Sequence, residues 1–159
     1  MSDSMDSIKK IISDYKRAEQ DRLNELQLLK VKELELFTQN ALNIEELIKN
    51  VICPLFENVK NIVVDAGFCC EKDKILRKIK NDSDKEYILE IKLKVSKSGR
   101  AEFIDHYLCY VGNYVDCSVK SEISIGNKQK QMEPRPLSYY STDCIRKEVE
   151  SFLKDIFKV

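Results

Sequence analysis

Apolar residues are spaced first as in helices and then as in strands along the chain. Residues 5–40 contain neither Gly nor Pro and are rich in Lys, Glu, Gln and Leu, which predicts one long helix. From Asn43 to Gly67 the apolar residues recur at steps of three and four, which predicts a second helix. Asn43 and Glu46 have capping-box spacing, and Gly67 suits a C-terminal cap. Pro54 lies inside this helix, where it removes a backbone hydrogen bond and predicts a kink.

The spacing then changes to two, which predicts strands. Residues 87–95 and 101–111 alternate apolar and polar side chains, and a Gly112-Asn113 turn leads into a further strand. This turn predicts that Val111 lies opposite Tyr114 in the hairpin.

The hairpin register and loop length predict which side chains share a face. A four-residue loop after the first of these strands places Ile91 opposite His106 and Leu93 opposite Ile104. His106 and Tyr110 then lie on the core face, while Lys92, Asp105 and Lys120 form a row on the outer face.

The flanking segments complete the predicted order. Residues 68–81 form an edge strand of ambiguous extent, and residues 126–138 form a loop. A last helix is capped at Ser141 or Thr142. Its apolar face comprises Ile145, Val149, Phe152, Leu153 and Ile156.

These elements predict a two-layer α+β fold. It consists of a long N-terminal helix, a kinked second helix, an antiparallel meander of about four strands, and a C-terminal helix packed on the sheet. The predicted organisation is a projecting helical segment, residues 1–30, followed by a single α+β domain, residues 31–159.

Composition narrows the class of partner and the compartment. The chain has 159 residues, enough for one core, and its 27 basic residues balance its 27 acidic residues. A neutral chain is not drawn to nucleic acid or to an anionic membrane, so neither is an expected partner. The N-terminus has no apolar signal region and no segment is apolar enough to span a bilayer, which predicts a cytoplasmic protein whose six cysteines are reduced thiols.

Candidate chemistry is sparse. Cys69 and Cys70 are adjacent, whereas zinc sites use spaced ligands; neighbouring strand residues point to opposite faces, so one thiol should face the core. His106 is the only histidine, and its predicted place on the core face favours a packed, hydrogen-bonded role. We therefore predict no catalytic residue, no metal and no cofactor, and a protein that is not an enzyme.

The first helix carries an imperfect heptad pattern in which six of ten core positions are apolar. One core position is taken by Ile8, Tyr15, Arg22, Leu29 and Leu36, and the other by Ile12, Glu19, Leu26, Glu33 and Asn40. Two interpretations remain open, a helix packed only along its C-terminal half and a dimer seam.

The leading functional prediction is a non-enzymatic interaction or assembly module, a homodimer or a component of a larger complex. The long helix and the outer sheet face would supply the contacts. The interface candidates are Ile8, Ile12, Tyr15, Leu26, Leu29, Phe103, Tyr107 and Tyr114.

The alternative is a small-ligand-binding domain whose pocket lies between the sheet and the kinked helix, near His106 and Tyr110. A thiol-based redox or metal protein is a third hypothesis.

The order of elements resembles that of small uncharacterised bacterial proteins with a long N-terminal helix. The matching residues are VICP from Val51 to Pro54, Gly67 before the sheet, and VESFLKDIF from Val149 in the closing helix. The pattern departs at FCC, where a more polar residue would follow the glycine. The resemblance implies this fold and a bacterial source, but it transfers no catalytic residue because these proteins have no established activity.

Overall fold

Helices occupy the first part of the chain, and an antiparallel sheet and a closing helix follow. The computed structural model describes residues 2–80, 84–97 and 106–158, with the side chains of residues 2 and 3 left aside. The helical elements are α1 (Ser2–Leu47), a π-helix (Ile48–Ile52), α2 (Cys53–Asp65), a 3-10 helix (Leu137–Tyr139) and α3 (Thr142–Phe157). The strands are β1 (Cys69–Lys78), β2 (Glu86–Ser96), β3 (His106–Asn113), β4 (Ser118–Ile125), β5 (Lys128–Gln131) and β6 (Arg135–Pro136).

The chain divides into two compact units, Met1–Leu36 and Phe37–Val159. The first unit contains the N-terminal part of α1. The second contains the end of α1, the remaining helices and the whole sheet. The predicted boundary, at residue 30, lies within α1.

The helix does not restart at Asn43, so the predicted capping box there is wrong. Asn43 Oδ1 accepts a hydrogen bond from Gln39 Nε2 at 2.9 Å, one turn back inside α1. Glu45 Oε2 instead accepts the backbone N–H of Ile88 at 2.8 Å. The polar side chains around the supposed start therefore support a continuous helix and its attachment to β2.

Pro54 changes the hydrogen-bond pattern of the helix before it. The π-helix Ile48–Ile52 lies immediately upstream, and α2 begins at Cys53 with the proline in its first turn. A proline is tolerated there because the first N–H groups of an α-helix have no partner within it. The end of α2 follows the prediction, since Gly67 adopts a φ of +95° and its N–H bonds to the carbonyl of Val64.

The α+β class, the long N-terminal helix, the antiparallel sheet and the C-terminal helix are confirmed, but the sheet has more strands than predicted. The strand order is β1-β2-β3-β4-β5, with β6 also pairing with β4. Both extra strands come from residues 126–138, which the sequence predicted to be a loop. The predicted edge strand is β1, and a register shift between Ile75 and Leu76 explains why its apolar residues do not alternate.

The predicted hairpin turn is wrong. Gly112 and Asn113 belong to β3 and pair with Val119 and Ser118, and the turn occupies residues 114–117. Tyr114 is therefore in the turn and does not face Val111. Cys117 supplies the left-handed conformation of this turn, with a φ of 53°.

The pairing of β2 with β3 is also shifted from the prediction. Ile91 lies opposite Tyr110, and His106 lies opposite Val95. The β2–β3 and β3–β4 pairings are each shifted from the predicted ones by an even number of residues, so the same side chains still share a face. Lys92 now lies beside Cys109 and Glu122; Asp105, the predicted member of this row, lies outside the described residues.

In the second unit, α2 and α3 cover the face that carries Tyr110. This ring lies 6.0 Å from that of Phe56 in α2, and its hydroxyl donates a hydrogen bond to Glu148 in α3. The core between these layers contains fully buried side chains from α1, the π-helix, α2, the sheet and α3. They include Ile44, Ile48, Ile52, Phe56, Leu89, Ile91, Leu93, Leu108, Tyr110, Ile145 and Phe152.

The closing helix begins where the sequence predicted. Ser141 caps α3, because its hydroxyl accepts the backbone N–H of Cys144 at 3.1 Å. The predicted apolar face is buried except for Leu153, which is half-buried.

Candidate functional site

A row of apolar side chains on α1 is exposed along the first unit. Of the seventeen large apolar side chains that are exposed in the described residues, eleven lie between Met5 and Leu36. The five interface candidates of this helix are among them, with exposures of 44% to 69%. They are Ile8, Ile12, Tyr15, Leu26 and Leu29.

Seven of the eleven fall on the heptad positions a and d, and we call the residues at these positions the helix seam. The seam comprises Met5, Ile8, Ile12, Tyr15, Glu19, Arg22, Leu26, Leu29, Glu33 and Leu36. It ends at Leu36, because Asn40 at the next a position is buried in the second unit and donates to the carbonyl of Tyr114 at 2.8 Å. The exposed row therefore extends over more than four heptads, about 47 Å of helix.

The centre of the seam is an ion pair. Arg22 Nη2 lies 2.5 Å from Glu19 Oε1, three residues apart, and the two side chains remain 60% and 40% exposed. An exposed pair of this kind adds little to helix stability. Its importance lies in its place, halfway along a row whose other members, except Glu33, are apolar.

The outer face of the sheet is largely engaged by its own side chains. Glu90 is 8% exposed, and its carboxylate accepts from Arg77 Nη2 at 2.9 Å and from Cys109 Sγ at 3.1 Å. Burial, reinforced by the neighbouring Glu90 carboxylate, raises the pKa of the Cys109 thiol. Throughout the described part of the chain, every buried side-chain nitrogen or oxygen has a hydrogen-bond partner.

The aromatic candidates of this face have different surroundings. Tyr107 lies on the outer face, with Lys92 Nζ 4.3 Å from its ring centre and Gln129 donating to its hydroxyl. Tyr114, in the turn, packs its ring 5.3 Å from that of Phe37 and accepts the N–H of Lys80 on its hydroxyl. Phe103 lies outside the described residues.

The candidates for a ligand pocket are not brought together. Tyr110 is fully buried, and its hydroxyl reaches Glu148, which lines a cavity of about 290 Å³ together with Ser121, Arg135, Tyr139 and Tyr140. Burial, followed by the Glu148 charge, raises the pKa of Tyr110. His106 does not line this cavity; it is half-buried at the start of β3, where its Nδ1 accepts the N–H of Gly126 at 3.0 Å.

The adjacent thiols occupy the two faces of β1, as predicted. Cys70 is 5% exposed on the core face, whereas Cys69 is half-buried on the other. Burial raises the pKa of Cys70 to about 11. Within the described ranges, no three side chains of His, Cys, Asp and Glu are grouped so that they could hold a metal ion.

We expect a thiol-alkylating reagent at pH 8 to modify Cys70 at least about 100-fold more slowly than an ordinary exposed thiol. A pKa of about 11 lowers the reactive thiolate fraction at pH 8 by about this factor relative to an ordinary thiol, and burial lowers access further. Peptide mass mapping of the Cys69→Ser and Cys70→Ser proteins measures the modification rate of the one thiol that remains of the pair. Equal rates in the native and denatured proteins would contradict the placement of Cys70.

Comparison with known proteins gives no indication of function, so the function is inferred from these surfaces. None of the helices in the described ranges is long and apolar enough to span a membrane. No protein-family model, curated protein or solved structure matches the chain.

Proposed function

We propose that the chain is a non-enzymatic protein-interaction module that assembles with a second copy of itself through the helix seam. The observation that supports this proposal is the exposure of the seam's apolar side chains, which form one row on a single helix. Isolated exposed apolar residues are common on protein surfaces, whereas several of them aligned on one face of a helix mark an interaction surface.

An unpartnered helix of this composition would be costly. Most helical stability in proteins comes from packing an apolar face rather than from intrinsic propensity. Burial of each large apolar side chain contributes about 1.5–3 kcal/mol. A pairing that covers the seam therefore stabilises both the assembly and the helix.

The outer sheet face is a weaker candidate for this role. Its buried carboxylate, Glu90, already has two donors, and Tyr107 is engaged by Lys92 and Gln129. A partner at this face would have to compete with contacts that are already made.

We expect the double variant Leu26→Asp, Leu29→Asp to be monomeric under conditions in which the unchanged protein is dimeric. Carboxylates at two consecutive seam positions would be buried without partners in the dimer, which costs several kcal/mol. Light scattering during size-exclusion chromatography measures the molar mass at several loading concentrations.

The matched control is the double variant Leu28→Asp, Val31→Asp. These residues have the same spacing and comparable exposures, 55% and 53%, but lie off the seam. This control should remain dimeric. Equal molar masses for the two double variants would contradict assembly through the seam.

The cavity beside Tyr110 supports the second candidate function, binding of a small ligand. Arg135 and Glu148 place opposite charges at its wall, next to Tyr139 and Tyr140. Its volume of about 290 Å³ lies at the lower end of the range for ligand pockets, and Glu148 is already engaged by Tyr110 and Cys144. This candidate would become the leading one if the protein were monomeric at all concentrations.

A further inference from the structure

The seam has nearly the same pattern when it is read backwards. Its midpoint lies between Gln20 and Asp21. On one side of the midpoint stands Glu19, and at the mirrored position on the other side stands Arg22. Moving outward, apolar residues face mirrored apolar residues, with one exception at Glu33.

We infer that two copies of the chain pair their seams antiparallel, about a twofold axis that passes between Gln20 and Asp21. This inference rests on the proposed function, since it specifies how the seam is covered. In an antiparallel pair, each a position packs against a d position of the second copy. The resulting layers are Met5 with Leu36, Ile12 with Leu29, Tyr15 with Leu26, Glu19 with Arg22, and Ile8 with Glu33.

Charge complementarity at the centre favours this orientation. Glu19 of each copy meets Arg22 of the other, so both central layers join opposite charges, and twofold symmetry produces the contact twice. In a parallel pair in register, Glu19 would meet Glu19 and Arg22 would meet Arg22. Glu33 would also meet Glu33, giving a third layer of like charges.

The register is selected by the same residues. Sliding the antiparallel pair by one heptad places Arg22 against Ile12 in one direction or against Leu26 in the other. Glu19 would then face Tyr15 or Leu29. The inferred register has one such layer, Ile8 with Glu33, whereas each alternative places both central charges against apolar side chains and leaves their complementarity unused, which is unfavourable.

The flanking positions give a smaller, opposite preference. A parallel pair would place Glu25 near Lys30 of the second copy, whereas the antiparallel pair places Lys9 near Lys30. These positions are at the edge of the seam, where solvent and salt screen the charges. The central layers therefore decide the orientation.

The proximity of Lys9 to Lys30 of the second copy provides a direct test. In one helix these residues are separated by about 32 Å, beyond the reach of a short amine-reactive cross-linker. The full-length protein is prepared in isotopically light and heavy forms, mixed to exchange copies, and checked for dimerisation by light scattering. Cross-linking followed by mass spectrometry then identifies links between light and heavy peptides.

We expect a dimer with mixed-isotope links between Lys9 and Lys30. Mixed-isotope links of Lys30 to Lys30, or of Lys9 to Lys9, would overturn the antiparallel orientation while leaving assembly through the seam intact. A monomer at all concentrations would overturn both the orientation and the proposed function. A dimer without any link between residues 5–36 of the two copies would place the contact elsewhere and overturn both as well.

Discussion

Glu19→Arg is expected to weaken the dimer at least about 100-fold, with Kd measured by sedimentation or by the concentration dependence of molar mass. In the antiparallel pair this substitution replaces two Glu–Arg layers with two Arg–Arg layers. Like charges juxtaposed in an interface cost several kcal/mol, and about 2.7 kcal/mol corresponds to 100-fold in Kd. Arg22→Glu should have an equal effect, because it creates two Glu–Glu layers.

The double variant Glu19→Arg, Arg22→Glu should restore the dimer. Exchanging the two charges recreates both complementary layers and also the ion pair within each helix. In a parallel pair, by contrast, Glu19→Arg exchanges one like-charge layer for another and Kd should change little. Restoration by the double variant therefore reports on orientation as well as on charge.

Asp21→Arg is the matched control for this series. It produces the same change in net charge two residues away, on an exposed part of the helix outside the seam. Its Kd should remain within a few-fold of that of the unchanged protein. Circular dichroism at the same protein concentration separates lost pairing from lost helix, and unchanged Kd in Glu19→Arg would contradict the central Glu–Arg layers.

The helices show what periodicity alone could predict. The apolar stripe of α3, its cap at Ser141 and the end of α2 at Gly67 all follow from local sequence chemistry. The continuity of α1 through Asn43 does not, because the competing capping box uses residue types that also serve inside a helix. Asn43 instead bonds to Gln39 within α1, and the neighbouring Glu45 accepts the N–H of Ile88, forty-three residues away.

The strands show a different limit. Alternation predicted the two faces of β2, β3 and β4 correctly, because side chains alternate with a strict period of two. It did not predict the pairing, since Gly112-Asn113 has the chemistry of a tight turn and Cys117, which adopts the left-handed conformation, carries no such signal. β5 was missed because all its side chains, Lys128 to Gln131, are polar and exposed.

The candidate site was partly accessible to sequence reasoning. The heptad predicted which side chains form the seam, and their exposure in the first unit agrees with an unpaired surface. The pocket prediction joined His106 to Tyr110 because alternation places both on one face of β3. It did not show that the Tyr110 hydroxyl bonds to Glu148 on α3, while His106 bonds to the N–H of Gly126. Long-range contacts of this kind leave no periodic trace in the sequence.

Gly112→Ala is expected to destabilise the second unit by about 1–3 kcal/mol, the usual cost of overpacking a core. The strand approaches α1 so closely at this residue that an added Cβ would lie 2.5 Å from Ile44 Cγ2 and 3.1 Å from the carbonyl oxygen of Leu89. Ile44 is fully buried and β-branched, so its side chain has little freedom to move aside. The glycine that suggested a turn is thus required by packing.

Ile44→Ala should relieve this clash and so distinguish packing from backbone effects. On its own it removes a buried side chain and costs about 2–5 kcal/mol. Gly112→Ala should then add less than it does alone, because only the 3.1 Å contact with the carbonyl oxygen of Leu89 remains. The coupling in this double-mutant cycle is expected to be about 1–3 kcal/mol, measured by denaturant unfolding followed by circular dichroism at one fixed protein concentration.

Gly126→Ala is the control, since Gly126 has a φ of +59° and no atom within 4 Å of an added Cβ. Its cost comes from the backbone and should not change in the Ile44→Ala background, whereas additive costs for Gly112→Ala and Ile44→Ala would contradict the close approach of α1 to β3.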